Sequence, residues 1–241
     1  MMIIATDIQM RRGTDIMPEM QDNDSALLWA QGLAKAYGSR LVFRDLDFEL
    51  FPGELILVLG ANGSGKSTLL QLACGLLKPS KGSLGLELEA SDVGYMGHST
   101  FVYSGLSALE NLRFWSRLYR LGGKEQDLLQ ILRRVGLGQY RHEPAANFSR
   151  GMAQRLSLAR VLLISPRLFL LDEPATGLDQ ESQQILRQEI KQARENRAAA
   201  LWVSHSPDLD QDLANGILCL QDKSGHLTRK ALQGQGMQGI C

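Results

Sequence analysis

The sequence predicts an α/β fold in which helices cover both faces of a central β-sheet. Four short runs are continuously apolar, as expected of strands that are buried on both faces; they span residues 55–59, 168–171, 200–203 and 217–220. Segments with the periodicity of amphipathic helices alternate with these runs. The chain has 241 residues, a length that one domain of this class can occupy.

The composition is that of an ordinary globular protein. Hydrophobic residues make up 44% and charged residues 22%, which excludes a disordered or collagen-like chain. Lys and Arg together number 26, as do Asp and Glu, so the formal net charge is zero. Because nucleic-acid-binding proteins usually carry a basic excess, we expect no nucleic-acid partner. The most apolar stretch, residues 161–171, is interrupted by Ser165, Pro166 and Arg167 and is too short to cross a membrane.

Both ends of the chain are expected to lie outside the folded unit. Residues 1–25 show no sustained periodicity and predict a tail. Residues 233–241 are rich in Gln and Gly and predict a second tail. Residues 26–232 are then the folded unit, in which residues 47–50 alternate apolar and charged side chains, as a half-solvated strand does.

Four helices are predicted beyond the first buried strand, over residues 68–77, 128–135, 155–164 and 182–195. In the second helix Leu128, Ile131 and Leu132 share one face, and Gly136 is placed to end the helix. The last helix is polar enough to lie on the surface. Since most of residues 107–164 has a helical pattern and lies between two strands, we expect a helical subdomain at about residues 99–164.

The strongest functional motif follows the first buried strand, where residues 60–68 read GANGSGKST. This is a P-loop, in which glycines allow successive backbone N–H groups to face phosphate oxygens at a helix N-terminus. Lys66 would place its ammonium group on the β- and γ-phosphates, and Ser67 would offer its hydroxyl to Mg²⁺. The candidate phosphate-binding residues are Gly60, Ala61, Asn62, Gly63, Ser64, Gly65, Lys66, Ser67 and Thr68. A simple glycine-rich turn is disfavoured, because the loop follows an apolar strand and begins a helix, as the motif requires.

A second motif, RLFLLDE, ends another apolar strand at residues 167–173. The strand places Asp172 at its carboxyl end, beside the P-loop, where a carboxylate can hold Mg²⁺ directly or through water. Glu173 would then reach the water that attacks the γ-phosphate. On its own the pair could be an exposed acidic turn, but the upstream P-loop makes the catalytic interpretation the stronger one.

These motifs, in this order, resemble the ATP-binding subunits of ABC transporters over nearly all of residues 27–232. The resemblance implies a P-loop NTPase of the ABC type, with a mixed sheet, an antiparallel β subdomain and a helical subdomain. It also implies that ATP and Mg²⁺ are bound and that ATP is hydrolysed to ADP and phosphate.

The resemblance assigns roles to three further residues. Residues 174–179 are similar to the D-loop, so Asp179 would link two nucleotide sites. Ser204 and His205 match the position of the switch histidine, so His205 would contact the γ-phosphate. Tyr37 occupies the position of the aromatic that stacks on adenine, although a half-buried core tyrosine is the alternative.

The signature loop departs from the family pattern. The usual LSGGQ is replaced by FSRGM at residues 148–152, which keeps Ser149 and Gly151 but brings in Arg150 and Met152. In the family this loop contacts the ATP that a second subunit holds, so the resemblance implies a homodimer of ATP-binding subunits. Arg150 replaces a glycine, and its side chain is expected to point outward or to reach a phosphate itself.

A narrower resemblance is carried by residues 95–98, YMGH, together with residues 107–119 and 148–160. These segments are similar to the ATP-binding subunits of the haem exporters of cytochrome c maturation. His98 stands where the family has a glutamine that touches Mg²⁺ and water. The resemblance implies integral membrane permease subunits as partners and a peripheral location on the cytoplasmic face of the inner cell membrane.

The predicted helical subdomain is also rich in aromatic and large apolar side chains: Phe101, Tyr103, Leu106, Phe114, Trp115 and Tyr119. They are either a surface that binds the membrane partner or the core of the subdomain itself.

Other functions remain open at the level of the sequence. The chain could be the ATPase subunit of another ABC exporter, an ABC-type ATPase without a role in transport, or a member that does not hydrolyse ATP. A GTPase is disfavoured, because the sequence lacks the Asn-Lys-x-Asp stretch that reads guanine. A small-molecule kinase would not account for the loop at Ser149 or for His205.

Overall fold

The computed structural model describes residues 25–97, 99–204 and 210–229, and within these ranges nine strands form two sheets. The predicted tails therefore lie almost entirely outside the described residues. The three-stranded sheet is antiparallel and has the order β2-β1-β4, with β1 at Leu28–Tyr37, β2 at Arg40–Leu50 and β4 at Lys81–Leu86. The alternating residues 47–50 lie in β2, as predicted.

The six-stranded sheet is mixed and has the order β5-β6-β7-β3-β8-β9. Its strands are β3 (Leu55–Leu59), β5 (Val93–Met96), β6 (Leu168–Asp172), β7 (Ala199–Val203), β8 (Gly216–Gln221) and β9 (Ser224–Arg229). The first five strands in spatial order are parallel, and β9 pairs antiparallel with β8. The carboxyl ends of the parallel strands therefore meet at one edge of the sheet.

Five α-helices accompany the sheets in the described part of the chain: α1 (Lys66–Ala73), α2 (Ala108–Leu118), α3 (Glu125–Arg134), α4 (Arg150–Leu162) and α5 (Gln180–Glu195). Short 3₁₀ turns occur at Ala90–Asp92, Gly138–Tyr140 and Ala145–Asn147. Helices α2, α3 and α4 all fall between β5 and β6. None of the described helices is long and apolar enough to span a membrane.

The predicted helices are present, but their ends differ from the predicted ends. The first ends at Ala73 rather than at residue 77, because the chain turns at Gly75, which has a φ of 74°. The helices predicted from residues 155 and 182 begin earlier, since Ser149 and Asp179 each accept a hydrogen bond from the N–H three residues ahead and so act as N-caps. Gly136, with a φ of 70°, follows the end of α3 as predicted.

The six-stranded sheet is buried on both faces. Residues such as Leu57, Phe169 and Trp202 pack in a cluster with apolar side chains of α2 to α5. Their neighbours along the strands, such as Val58 and Leu170, pack on the other face with α1 and the three-stranded sheet. This arrangement confirms the double burial that the continuous apolar runs predicted.

Truncating a central residue of β3 tests this double-sided core. Leu57 is fully buried, and Leu57→Ala is expected to lower the free energy of unfolding by about 2–5 kcal/mol, because it leaves a cavity between sheet and helices. Leu76 is exposed, so Leu76→Ala is expected to cost less than about 0.5 kcal/mol. Urea unfolding followed by circular dichroism measures both; equal losses would contradict the assigned packing.

Candidate functional site

The loop between β3 and α1 contains two glycines, Gly60 and Gly65, at which a larger residue would force neighbouring atoms to move. Gly60 and Gly65 have φ angles of 142° and 105°, which L side chains rarely adopt. A Cβ on Gly65 would lie 2.6 Å from Cγ1 of Val42, and one on Gly60 would lie 2.7 Å from Oγ of Ser64. Gly65 also ends the loop, since α1 begins at Lys66. The N-terminus of α1 is thus open toward the loop, as an anion site requires.

Lys66 is buried and folded back across this loop. Its Nζ donates hydrogen bonds to the carbonyl oxygens of Gly60 at 2.7 Å and Ala61 at 3.1 Å. The ammonium group is therefore fixed over the place where the loop would hold phosphate. An arriving phosphate can take over these N–H donors without a large movement of the side chain.

Ser67 and Asp172 meet although they are 105 residues apart. The Ser67 hydroxyl donates to Oδ1 of Asp172 at 3.1 Å, and the Asp172 carboxylate is almost fully buried at the end of β6. A hydroxyl and a carboxylate are hard oxygen ligands of the kind that Mg²⁺ binds together with water and phosphate oxygens. Among the described residues, no group of three or more His, Cys, Asp or Glu side chains is arranged to hold a metal ion.

Glu173 directly follows β6 in a conformation that is rare for a residue with a side chain. Its φ is 54°, and its backbone N–H donates to the carbonyl oxygen of Val203 on β7 at 3.1 Å. This turn brings Glu173 to the wall of the cleft above the P-loop. Strained residues of this kind cluster at functional sites.

The cleft has a volume of about 1320 Å³ and contains all nine predicted P-loop residues. Tyr37 stands at its rim with half of its surface exposed, and the Nζ of Lys35 lies 5.0 Å from the centre of the tyrosine ring. The tyrosine is therefore available for stacking and is not a core residue. Tyr95, beside the site, has a pKa raised to about 12 by burial and by the Asp172 charge, so its hydroxyl stays neutral.

Four polar residues of the cleft were not predicted from the sequence: Arg40, Gln221, Asp222 and Lys223. Arg40 begins β2, while Asp222 and Lys223 form the two-residue turn between β8 and β9, both with positive φ. No motif marks them, because only the packing of distant strands brings them to the P-loop.

A second group of predicted residues lies at the N-termini of α4 and α5. The Ser149 hydroxyl accepts from the N–H of Met152 at 3.2 Å. The Asp179 carboxylate accepts from the N–H of Ser182 at 2.7 Å, which lowers the pKa of Asp179. Gly151 packs so closely on these residues that a Cβ would lie 2.8 Å from Oδ2 of Asp179. The signature loop and the loop before α5 therefore form one unit.

Arg150 is exposed at the start of α4. Its guanidinium packs against Gly177, where a Cβ would lie 2.5 Å from Nη1 of the arginine. Among the described residues that line the P-loop cleft, none belongs to the group formed by Ser149, Gly151 and Asp179. The predicted site residues thus fall into two separate groups in one chain.

Two predicted residues, His98 and His205, lie outside the described residues. The segment that contains His205 is bracketed by Ser204 and Asp210, and the Ser204 hydroxyl donates to Oδ2 of Asp210 at 2.6 Å. Arg187 of α5 donates to Oδ1 of the same carboxylate at 2.6 Å. Burial raises the pKa of Asp210, and these two donors oppose the shift.

Comparison with known proteins agrees with this geometry. The model of the ABC transporter family matches residues 43–176. The cytochrome c biogenesis ATP-binding export protein CcmA of Bordetella parapertussis is 41% identical over 189 residues, which cover 75% of this chain and 83% of that protein. CcmA of Rhodopseudomonas palustris strain HaA2 is 37% identical over 186 residues, covering 75% and 92% respectively.

The fold is likewise that of known ATP-binding subunits. A solved structure of the ATP-binding subunit of an ABC transporter superposes with a TM-score of 0.78 at 25% identity, over 84% of this chain and 90% of that one. The matched region contains both the P-loop and the Asp172–Glu173 pair. The chain belongs to the ABC transporter family, as one of its ATP-hydrolysing subunits.

Proposed function

We propose that this chain supplies the ATP hydrolysis of an export complex of cytochrome c biogenesis, the haem exporter that its sequence resembles. The observation that carries the proposal is the contact of Ser67 with Asp172 beneath the P-loop, with Glu173 as the next residue. The names of the CcmA relatives point to the pathway, and the cleft points to the chemistry.

ATP would lie along the cleft, with its adenine on the exposed ring of Tyr37 and its phosphates on the P-loop amides. Ser67 and Asp172 would hold Mg²⁺, with His98 near the ion and its water. The bound ion neutralises charge that develops on the phosphate oxygens. Lys66 would exchange the carbonyls of Gly60 and Ala61 for phosphate oxygens.

Hydrolysis requires a water molecule whose oxygen attacks the γ-phosphorus as the bond to the β-phosphate oxygen breaks. Glu173 would orient this water and accept its proton, and His205 would contact the γ-phosphate. The products are ADP and inorganic phosphate. The hydrogen bond from the backbone N–H of Glu173 to the carbonyl oxygen of Val203 supports this placement of the residue at the end of β6.

A complete site would need two copies of the chain. Ser149 and Gly151 are not part of the P-loop cleft of their own chain, which supports a dimer in which they close over the partner's ATP. Asp179, packed against Gly151, would link the two sites across the dimer interface.

The membrane subunits would dock on the aromatic surface, defined as Phe101, Tyr103, Phe114, Trp115 and Tyr119. Phe101, Tyr103 and Phe114 are 49%, 46% and 37% exposed, and the core around α2 and α3 consists of other residues. The ring centres of Tyr103 and Phe114 are 4.6 Å apart, and those of Phe114 and Trp115 are 5.4 Å apart. This contiguous exposed patch favours a partner surface over a subdomain core, and it would place the chain at the cytoplasmic face of the inner membrane.

Replacing the proposed base separates hydrolysis from binding. Glu173→Gln keeps the shape of the side chain but cannot accept a proton, so steady ATP turnover is expected to fall at least about 100-fold. Binding of Mg-ATP should persist, and the ATP-bound dimer should accumulate in size-exclusion chromatography with light scattering. Glu89→Gln, at an exposed position away from the cleft, is the control and should turn over normally. Wild-type turnover by Glu173→Gln would refute the assignment.

The metal assignment can be tested by titration. Asp172→Asn removes the charge but not the bulk, so the Mg²⁺ concentration for half-maximal turnover is expected to rise about 10-fold or more. Binding of ATP in the presence of EDTA should change little, because the P-loop amides and Lys66 are intact. Asp45→Asn, at a highly exposed position, is the control. An unchanged Mg²⁺ titration curve would remove Asp172 from the metal site.

Docking can be tested with two matched aromatic residues. Phe114 and Tyr140 are each 37% exposed, but only Phe114 belongs to the aromatic surface. Phe114→Ala is expected to lower the membrane-bound fraction in cells at least about 5-fold, while Tyr140→Ala leaves it unchanged.

The measurement is quantitative blotting of membrane pellets, with mass spectrometry of the integral proteins that co-purify. Both variants should bind Mg-ATP as the parent chain does. Equal recruitment of the two variants would argue against the aromatic surface as the docking site.

A further inference from the structure

The side chain of Arg160, near the carboxyl end of α4, joins three parts of the molecule. Its Nη2 donates to the carbonyl oxygen of Tyr95 on β5 at 2.8 Å, and its Nη1 donates to the hydroxyl of Tyr119 at 3.0 Å. Its Cζ lies 5.4 Å from the ring centre of Phe101 and 5.2 Å from that of Trp115. The residue is only 8% exposed, so a buried cation lies directly beneath the aromatic surface.

The surroundings of this cation determine its position closely. Two hydrogen bonds and two cation–π contacts offset the free-energy cost of removing this charge from water. Cation–π contacts are stronger when they are desolvated. Nε has no hydrogen-bond partner among the described residues, so nothing in that part of the chain draws the guanidinium in another direction. A lysine could not reproduce these contacts, because they require a flat group with diverging donors.

Arg160 and the rings around it, those of Phe101, Trp115 and Tyr119, form a hub in which the rings also contact one another. Trp115 donates from Nε1 to the carbonyl oxygen of Phe101 at 3.3 Å, and its ring centre is 5.6 Å from that of Tyr119. A displacement of the aromatic surface would therefore displace Arg160, or break several contacts at once. The hydrogen bond from Arg160 to Tyr95 also connects these residues to β5.

Helix α4 extends from this hub to the signature loop. Arg160 lies ten residues after Arg150, about 15 Å along a continuous helix. At the other end of α4, Arg150 packs on Gly177 and Gly151 on Asp179. One rigid element therefore connects the aromatic surface to the group of residues that would close over the partner's ATP.

We propose that Arg160 is a positioning residue that couples the aromatic surface to the signature loop through α4. The coupling rests on the proposed function, since it assumes that the signature loop binds the ATP of a second copy. Closure of the dimer would move α4, and Arg160 would carry that movement to the rings on which the membrane subunits dock. A purely structural role would instead hold the rings in place regardless of nucleotide.

Fluorine NMR of the purified full-length chain can detect this coupling without a membrane. The sequence has three tryptophans, so labelling with 5-fluorotryptophan gives three signals, and Trp115→Phe identifies the one from Trp115. In the Glu173→Gln chain, addition of Mg-ATP is expected to shift the Trp115 signal. Arg160→Gln in the same chain is expected to reduce that shift at least about threefold, with Mg-ATP binding unchanged.

Arg117→Gln is the matched control, because Arg117 is an exposed arginine on α2 outside the hub. It should leave the Mg-ATP-dependent shift intact. The coupling role is wrong if Arg160→Gln retains the full Mg-ATP-dependent shift of the Trp115 signal. It is also wrong if the Glu173→Gln chain without a further substitution shows no such shift. If Arg160→Gln does not fold, Tyr119→Phe provides the test, because it removes only the hydroxyl that accepts a hydrogen bond from Arg160. It is expected to diminish the shift, and an unchanged shift would likewise reject the proposal.

The outcome is separable from that of the proposed function. Membrane recruitment of Arg160→Gln should stay close to that of the parent chain, because the exposed rings remain. Loss of recruitment in Phe114→Ala tests docking alone, whereas the Trp115 signal tests coupling alone. If the Trp115 signal does not shift but Phe114→Ala still lowers membrane recruitment, the aromatic surface is a docking site and the coupling through Arg160 is rejected.

Discussion

The double burial of the parallel strands constrains everything else in this molecule. Because both faces of β3, β6 and β7 pack against apolar side chains, polar side chains can be placed only at the ends of these strands. Parallel pairing brings those ends to one edge, where the loop at Gly60 meets Asp172 and Glu173. The contact between Ser67 and Asp172 is a direct result, since it joins the helix after one strand to the end of another.

In a single chain, the described candidate site residues form two separate groups. The P-loop cleft has the charges and hydroxyls for the phosphates and the metal ion, and the signature loop lies elsewhere, packed on Asp179. This division is why we propose that two copies associate to form a complete site, and at Arg150 the guanidinium lies beside Gly177.

The helical region adds a different kind of constraint. Its apolar interior is formed mainly by leucines, alanines and valines, while the rings of Phe101, Tyr103 and Phe114 are exposed near the buried Arg160. The guanidinium of Arg160 on α4 lies against the rings of Phe101 and Trp115. The same helix begins at Arg150 of the signature loop, so one continuous element joins the two regions.

The sequence alone predicted the four buried strands, the strand at residues 47–50, four of the five described helices and the P-loop motif. Burial on both faces and the demands of a P-loop restrict the residue types at those positions. It could not determine the helix starts at Arg150 and Gln180, the cleft residues Arg40, Gln221, Asp222 and Lys223, or the choice between core and surface for the aromatic side chains. Those depend on contacts between segments far apart in the chain, such as β8 beside β3 or α4 beneath Trp115. The local sequence pattern restricts the secondary structure and the chemistry of a residue, whereas only tertiary packing decides which distant groups that residue contacts.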